Sequence, residues 1–172
     1  IPSNETGIDF NNIIKETDSF NILTEEYIFN GGGVAIADFN NDSFPDIFFS
    51  GNQVANKLYL NIGDFKFKDA SKTSGIEGTN RWSTGVTTVD INNDGWQDLI
   101  ILGEWMPIKI YININSKLVD ETDSYGLTNT SGLWSSMELV DVDGDGDKDI
   151  VAGNIGLNNF FEKNMRMYVF DF

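Results

Sequence analysis

Three short acidic stretches of one design recur along this chain, and the clearest is residues 141–149. Carboxylates occupy every second position there, and they would repel one another strongly unless a cation lay among them. Ca²⁺ fits best, because it accepts roughly six to eight oxygen ligands in a flexible shell. Side chains at positions 1, 3, 5 and 9 and the carbonyl at position 7 can wrap the ion, and Gly146 at position 6 provides the turn. The predicted ligands are Asp141, Asp143, Asp145, the carbonyl of Asp147, and Asp149.

The same nine-residue frame occurs twice upstream. Ser43 stands at position 6 of the first stretch, where the other two have glycine, so this turn departs most from the pattern. The three stretches begin at residues 38, 90 and 141, a spacing of 51 to 52 residues, and such regular spacing identifies a repeat. The predicted ligands are Asp38, Asn40, Asp42, the Phe44 carbonyl and Asp46 in the first stretch, and Asp90, Asn92, Asp94, the Trp96 carbonyl and Asp98 in the second.

An EF-hand is the obvious alternative, and two features exclude it. The bidentate glutamate that an EF-hand needs at position 12 is replaced by Phe49, Ile101 and Ala152. The flanking segments are short runs of β-branched and aromatic residues, which are typical of strands and not of helices. Each stretch is therefore predicted to link two strands of a hairpin. Acidic turns that stay empty remain the alternative to metal loops.

Composition limits the classes of partner. The chain has 172 residues, 40% of them hydrophobic, which is enough to bury a core. Its formal charge is −16, and eleven of its 27 acidic residues lie in the three stretches. Three bound Ca²⁺ ions would still leave it acidic, so neither nucleic acid nor an anionic membrane surface is an expected partner. The chain has no cysteine and no histidine, which excludes disulfides and thiolate or imidazole metal sites.

Two further features bear on location. No apolar run reaches the length of a membrane span. The chain begins at Ile1 without Met or a signal peptide, which we interpret as a processed or subcloned piece of a longer protein. Extracellular calcium modules commonly bind with dissociation constants of roughly 10⁻⁴ to 10⁻³ M, so these loops favour a secreted, periplasmic or cell-surface setting.

The repeat extends beyond the acidic stretches. Each unit offers a run before the acidic stretch, a run after it, and two more runs joined by a turn. Residues 57–61 and 109–113 share the pattern Lys-x-Tyr-x-Asn at an offset of 52. The sequence therefore predicts an all-β chain built from four-stranded antiparallel units, about three of which are present. The boundaries are 1–30 for an N-terminal outer strand and connection, then 31–80, 81–132 and 133–172.

Both ends of the chain depart from this unit. Residues 8–17 resemble a spare outer strand. Residues 165–172 resemble another first strand running into another aspartate, so we expect a further repeat to start there and the chain to be a fragment.

Four-stranded units of this length are typical of β-propeller blades. The segment 33–42, the three acidic stretches and the segment 149–154 resemble FG-GAP or VCBS repeats, the calcium-binding blades of integrin α-subunits among them. The segments 103–107 and 153–158 are similar to those of large bacterial surface proteins. The resemblance implies a ring of seven blades in which an N-terminal outer strand, here residues 8–17, completes the last one. Three blades cannot close a ring, so the remaining blades of the parent chain, or another copy, are the expected partners.

The chemistry available favours binding over catalysis. A Ser-His-Asp or Cys-His arrangement is impossible without histidine. Glutamates for glycoside cleavage are present, but no spacing singles out a pair. We therefore expect no enzyme in this segment, and about three structural Ca²⁺ ions.

Aromatic and charged residues near the strand ends are candidates for contacting a ligand. A sugar ring could stack on an indole, and the alternative is that these rings pack between blades. The candidates are Arg81, Trp82, Glu104, Trp105 and Trp134. The sequence thus predicts a calcium-stabilised propeller module of a secreted or surface-attached, bacterial protein, which binds an unknown protein or glycan. The alternative is the propeller part of a carbohydrate-active enzyme or a carbohydrate-binding protein.

Overall fold

The computed structural model describes residues 2–24, 28–29, 31–76, 82–154 and 168–170. Across these residues the chain is almost entirely β, which confirms the predicted fold class. One short helix, α1 (Ser3–Thr6), precedes the strands. The strands are β1 (Val34–Ala37), β2 (Asp46–Phe49), β3 (Lys57–Asn61), β4 (Phe67–Asp69), β5 (Trp82–Val89), β6 (Asp98–Met106), β7 (Lys109–Asn113), β8 (Leu118–Asp120), β9 (Gly132–Val140), β10 (Asp149–Asn154) and β11 (Tyr168–Phe170).

The first unit is an antiparallel meander. Its four strands lie in the order β1-β2-β3-β4, and each pairs with the next one along the chain. β5 to β8 pair in the same way, as do β9, β10 and β11. We call these three units the first, second and third blades. They are consistent with β-propeller blades in a ring that is not closed.

The second and third blades are joined by backbone pairing. β6 extends past its partners, and its last residues pair with the start of β9, Glu104 opposite Leu133 and Met106 opposite Gly132. The register shifts between Glu104 and Met106, which marks a bulge. One seven-stranded sheet therefore carries both blades.

The core lies between the blades, because strand residues point alternately to the two faces of a sheet. In β6, Leu99 and Ile101 pack in a cluster that contains Phe48 and Leu58 of the first blade. Ile100 and Leu102 face the other way and pack in a cluster with third-blade residues that include Ile150. β6 is therefore apolar from Leu99 to Leu102, since both of its faces are covered there.

The first strands of consecutive blades adjoin one another. β1 contacts β5, and β5 contacts β9. Each acidic loop follows one of these first strands, so the three loops emerge from the same end of neighbouring blades. No helix among the described residues has the length and hydrophobicity needed to cross a membrane.

Two sequence expectations about the ends of the chain differ from the structure. Tyr168–Phe170 pairs with β10 as a third strand, in the register that β3 takes against β2, and does not begin a further unit. Residues 8–16 form no strand. The N-terminal segment instead lies against the open face of the first blade, where the Phe10 ring stacks on Phe49 with centroids 5.0 Å apart and the Tyr59 hydroxyl donates a hydrogen bond to Asp9.

Candidate metal centres

Each acidic loop joins the first and second strands of its blade, and its opening aspartate organises the turn. In the first loop (residues 38–46), Asp38 accepts hydrogen bonds from the backbone N–H groups of Asp42, at 3.1 Å, and Ser43, at 2.7 Å. In the second loop (residues 90–98), Asp90 accepts the equivalent bonds from Asp94, at 2.9 Å, and Gly95, at 2.7 Å. The sequence frame thus folds into one geometry twice.

The third loop (residues 141–149) is the variant of this turn. Asp141 accepts from Gly144 at 2.6 Å and from Gly146 at 3.0 Å. Ligand oxygens of Asp141, Asp143 and Asp149 all lie within 4.8 Å of one another. Three carboxylates this close repel one another, and a divalent cation is the simplest way to hold them together. An all-oxygen set with carboxylates converging from positions 1, 3 and 9 fits the preference of Ca²⁺ for hard ligands.

Positions 3 and 5 also turn inward. Asn40 donates its Nδ2–H to Asp42 Oδ2 at 2.8 Å, and Asn92 donates to Asp94 Oδ2 at 2.9 Å. Each asparagine side chain therefore lies beside the position-5 carboxylate. Its amide oxygen accepts a hydrogen bond from the backbone N–H of position 5 and is also a candidate ligand.

The backbone N–H of position 7 is hydrogen-bonded to the position-5 aspartate in all three loops. The N–H groups of Phe44 and Trp96 each donate to the position-5 aspartate at 2.8 Å, and that of Asp147 donates to Asp145 at 2.9 Å. The carbonyl groups at position 7 stay predicted ligands.

The position-9 aspartates are the buried members of the set. Asp46, Asp98 and Asp149 are 0%, 0% and 3% exposed. Each accepts a hydrogen bond from the N–H of position 2 in its own loop, which is Phe39 at 2.9 Å, Ile91 at 2.9 Å and Val142 at 2.7 Å. This carboxylate therefore closes the loop from the second strand.

Burial also changes how two of these groups ionise. Desolvation raises the pKa of Asp46 and of Asp98 above 3.8, the ordinary value for an aspartate, and neighbouring loop carboxylates add to the rise. Backbone N–H groups that donate to the two carboxylates work in the opposite direction. A bound cation would favour the charged form of both.

Sequence patterns alone did not identify two third-strand asparagines that support these loops. The backbone N–H of Asn61 donates to Asp46 at 2.8 Å, and that of Asn113 donates to Asp98 at 2.7 Å. The Asn61 side chain donates to the Pro45 carbonyl at 3.0 Å, and Asn113 donates to that of Gln97 at 3.1 Å. The asparagine that ends the repeated Lys-x-Tyr-x-Asn pattern was the signal that could have identified them.

The candidate ligand-contacting residues do not form one site. Trp134 is 1% exposed, packs between the second and third blades and donates its Nε1–H to the Thr130 carbonyl at 2.9 Å. Its ring is therefore a core side chain and not a stacking surface. Trp82 is half-buried, and the edge of its ring meets Phe20. Arg81 lies outside the described residues.

Trp105 differs from the other tryptophans because it is 62% exposed and has a left-handed φ of 56° in the β6 bulge. A bulky residue rarely adopts this conformation. The surrounding structure must therefore hold the backbone of Trp105 in place. Glu104 beside it is half-buried and pairs with both β5 and β9. The bulge thus presents an indole to solvent between the second and third blades.

Comparisons with known proteins agree with this architecture. FG-GAP-like repeats match residues 38–101 and 90–152, which together span about two thirds of the chain. Cartilage acidic protein 1 of Xenopus tropicalis is 31% identical over 87 residues, and those of Homo sapiens and Mus musculus are 32% and 30% identical over the same length. The match covers 50% of this chain and 13% of each relative. Because the repeat matches span all three acidic loops and most of the strands around them, the chain belongs to the FG-GAP-like repeat family.

Proposed function

We propose that these blades form a calcium-stabilised, non-catalytic repeat module that presents a binding surface in a secreted or cell-surface protein. The observation that carries this proposal is the convergence of Asp141, Asp143 and Asp149 within 4.8 Å, in a loop frame that occurs three times in register. Like charges this close together repel one another, and a cation between them would offset that repulsion.

The part played by the ion follows from where its ligands lie. Positions 1 to 7 belong to the turn, whereas position 9 begins the second strand. An ion held between them would tie the first strand to the second and neutralise carboxylates that the fold brings together. Calcium would supply charge neutralisation and cross-linking. The protein residues would supply the oxygen cage, with the position-9 carboxylate fixed by backbone N–H groups.

The location follows from calcium availability. Loops filled at dissociation constants of roughly 10⁻⁴ to 10⁻³ M would be occupied outside cells and not in the cytoplasm. The relatives are named cartilage acidic protein 1, and this chain is acidic as well. A secreted, periplasmic or surface-attached module is consistent with both.

Further blades are the first partners that we propose. The open face of the first blade bears a groove of about 490 Å³, lined mainly by apolar side chains that include Ile36, Ile47 and Phe67. Residues of the second blade at the same register, such as Leu99 and Leu118, are buried against the first blade. The groove therefore suits another blade, either from the remainder of the parent chain or from another copy.

Thermal unfolding against free calcium tests the metal proposal. The melting temperature should rise with calcium, because each site filled at tenfold its dissociation constant adds about 1.4 kcal/mol to stability. Asp143→Ala should reduce the rise, since it removes a ligand of the third loop. Asp18→Ala, which removes an exposed aspartate outside the loops, should leave the rise unchanged.

A melting temperature that ignores calcium in the parent protein, together with no metal found by elemental analysis of the purified protein, would contradict calcium stabilisation. The loops would then be acidic turns held by their own backbone hydrogen bonds.

A second candidate function is recognition of a glycan or protein at Trp105, and its exposure on a left-handed bulge favours this position. Trp105→Ala should weaken binding by about tenfold or more, as loss of an aromatic anchor commonly does. Glycan arrays and pull-down of protein partners would identify the ligand class.

Phe29→Ala, which removes another exposed aromatic ring, is the matched control and should have no effect. Equal binding by Trp105→Ala and the parent would exclude this surface, and turnover of a polysaccharide would favour the carbohydrate-active alternative.

A further inference from the structure

The first and second loops are linked across the blade interface, and we propose that they bind calcium cooperatively, with Asn113 as the positioning residue that couples them. This inference rests on the proposed calcium binding and adds a relation between two of its sites.

The link is made by one buried amide. Asn113, at the end of β7, donates from Nδ2 to the Phe39 carbonyl of the first loop at 2.9 Å. The same amide group donates to the Gln97 carbonyl of the second loop at 3.1 Å. Two carbonyls facing this group fix its orientation, because only the NH₂ end of the side chain can donate to them. Asn113 Oδ1 is buried without a hydrogen-bond partner among the described residues, so the amide makes its contacts there through its two N–H donors.

The link reaches the carboxylates at position 9 of both loops. On the first-loop side, Phe39 donates its backbone N–H to Asp46 at 2.9 Å. On the second-loop side, Asn113 donates its backbone N–H to Asp98 at 2.7 Å. All four residues are at most 1% exposed, so water cannot replace these bonds easily. A continuous path of hydrogen bonds through Phe39 and Asn113 therefore joins one predicted calcium ligand to the other.

A second, weaker contact runs in parallel at the surface. Asn41 of the first loop donates from Nδ2 to the Gly95 carbonyl of the second at 3.4 Å. It joins position 4 of one turn to position 6 of the next, beside the residues that wrap the predicted ions. The two loops thus meet at both a buried and an exposed point.

This linkage predicts positive coupling. Filling the second loop fixes Asp98 and, through Asn113, the Phe39 peptide that orients Asp46. The first loop then has less freedom to lose when it binds its own ion, which is the condition for cooperativity through ordering. Because coupling between two binding sites is reciprocal, filling the first loop strengthens the second by the same factor.

The first blade provides the matched control. Asn61 occupies the position in β3 that Asn113 has in β7, and its side chain donates to Pro45 within its own loop. Its hydrogen bonds among the described residues stay within the first blade. Asn61→Ala therefore removes the same kind of side-chain contact as Asn113→Ala without breaking a link between loops.

The test reads the second loop alone. Trp96 lies in that loop and should sensitise luminescence of bound terbium, whose displacement by calcium gives the calcium affinity. Trp96→Phe keeps the backbone carbonyl and should abolish the signal, which verifies its source. The first loop is emptied by Asp42→Ala, in the parent and in the Asn113→Ala and Asn61→Ala backgrounds.

With Asn113 present, we expect Asp42→Ala to lower the calcium affinity of the second loop by about fivefold or more. In Asn113→Ala the same change should have less than about half that effect, and in Asn61→Ala the full effect should persist. The lost charge of Asp42 acts equally in every background, so the difference between backgrounds measures the link.

Equal second-loop affinity with and without Asp42→Ala, in a protein that binds calcium, would overturn the coupling and leave the calcium proposal standing. Absence of any terbium or calcium response in the parent would overturn both. Hydrogen exchange in Asp42→Ala covers the case in which Asn113→Ala does not fold: the Phe39 amide should exchange more slowly once calcium fills the second loop, and an unchanged rate would exclude Asn113 as the coupling residue.

Discussion

At position 6 of each acidic loop the backbone is left-handed, with φ of 71° at Ser43, 87° at Gly95 and 102° at Gly146. Glycine enters this region without penalty, whereas a residue with a Cβ atom meets its own backbone there at a cost of about 1–2 kcal/mol. Ser43 adopts this conformation despite the cost. Its backbone N–H donates to the opening aspartate of the first loop, as that of Gly95 does in the second. At position 6, the first loop is therefore the one of the three that carries this cost.

Replacing this residue should relieve the strain. Ser43→Gly should raise the free energy of unfolding by about 0.5–1 kcal/mol, which is the left-handed penalty less the entropy that glycine gains in the unfolded chain. Chemical denaturation at saturating calcium measures it. Gly95→Ser is the reverse control and should lose a similar amount for backbone reasons alone, because a Cβ there meets nothing within 4 Å. Ser43→Gly with no gain would mean that the serine side chain compensates for its backbone.

At the scale of strands, sequence predicted pairing wherever neighbours along the chain also pair in space. The Lys-x-Tyr-x-Asn strands are found at β3 and β7, and in both blades the tyrosine is opposite an aspartate of the next strand. The lysine of each strand forms an ion pair with that aspartate, Lys57 with Asp69 and Lys109 with Asp120. A pattern that specifies both strand register and charge pairing is readable from sequence because all of its parts are local.

Pairing between blades could not be predicted in this way. The start of β9 pairs with the end of β6 through a bulge, and no local pattern indicates that partner. Residues 165–172 resemble a first strand because first and third strands share the same apolar alternation. The position of Tyr168–Phe170 in the sheet depends on which edge is available, and β10 offers one. The apolar alternation is compatible with either a first or a third strand, and the free edge of β10 determines which one forms.

The candidate site divides along the same line. The loop residues lie within nine positions of one another, so their spacing was sufficient to predict them. Asn113 contacts Phe39 across 74 residues of sequence, and only the packing of two blades brings them together. The residues proposed to hold one ion could thus be named from the sequence, whereas the contact that connects two loops could not.

For the whole molecule, charge repulsion and the burial of carboxylates both oppose folding when calcium is absent. The chain carries a formal charge of −16, and its fold buries Asp46 and Asp98 completely. Repulsion among acidic groups destabilises a compact state, and desolvation adds to this at the two buried carboxylates. Calcium would offset both effects, because it brings positive charge to the loops where eleven acidic residues lie.

These effects predict different pH profiles of stability with and without calcium. Because the pKa values of Asp46 and Asp98 are raised by burial, the folded state binds their protons more tightly than the unfolded state does. Without calcium, stability should therefore rise as the pH falls from about 7 towards about 4, through the folded pKa values.

Asp69 and Asp120 set the low-pH limit of this rise in stability, because their pKa values are lowered. Burial works to raise the pKa of each, but hydrogen bonds from Lys57 and Ser71 to Asp69, and from Lys109 and Thr122 to Asp120, outweigh it and lower the net pKa. Their contribution to stability is present above 3.8 and is lost as the pH falls through the lowered values. The calcium-free protein should therefore be most stable at mildly acidic pH.

Calcium should reverse the acid-side trend. A bound ion favours the ionised carboxylates, so protons compete with it and stability should fall steadily as the pH drops from about 7. Melting temperatures measured across this range with chelator and with excess calcium would show the two profiles. Asp98→Asn removes one buried ionisable group and should flatten the rise in chelator, whereas Asp18→Asn should not change it. Parallel profiles under the two conditions would mean that calcium does not act on these carboxylates.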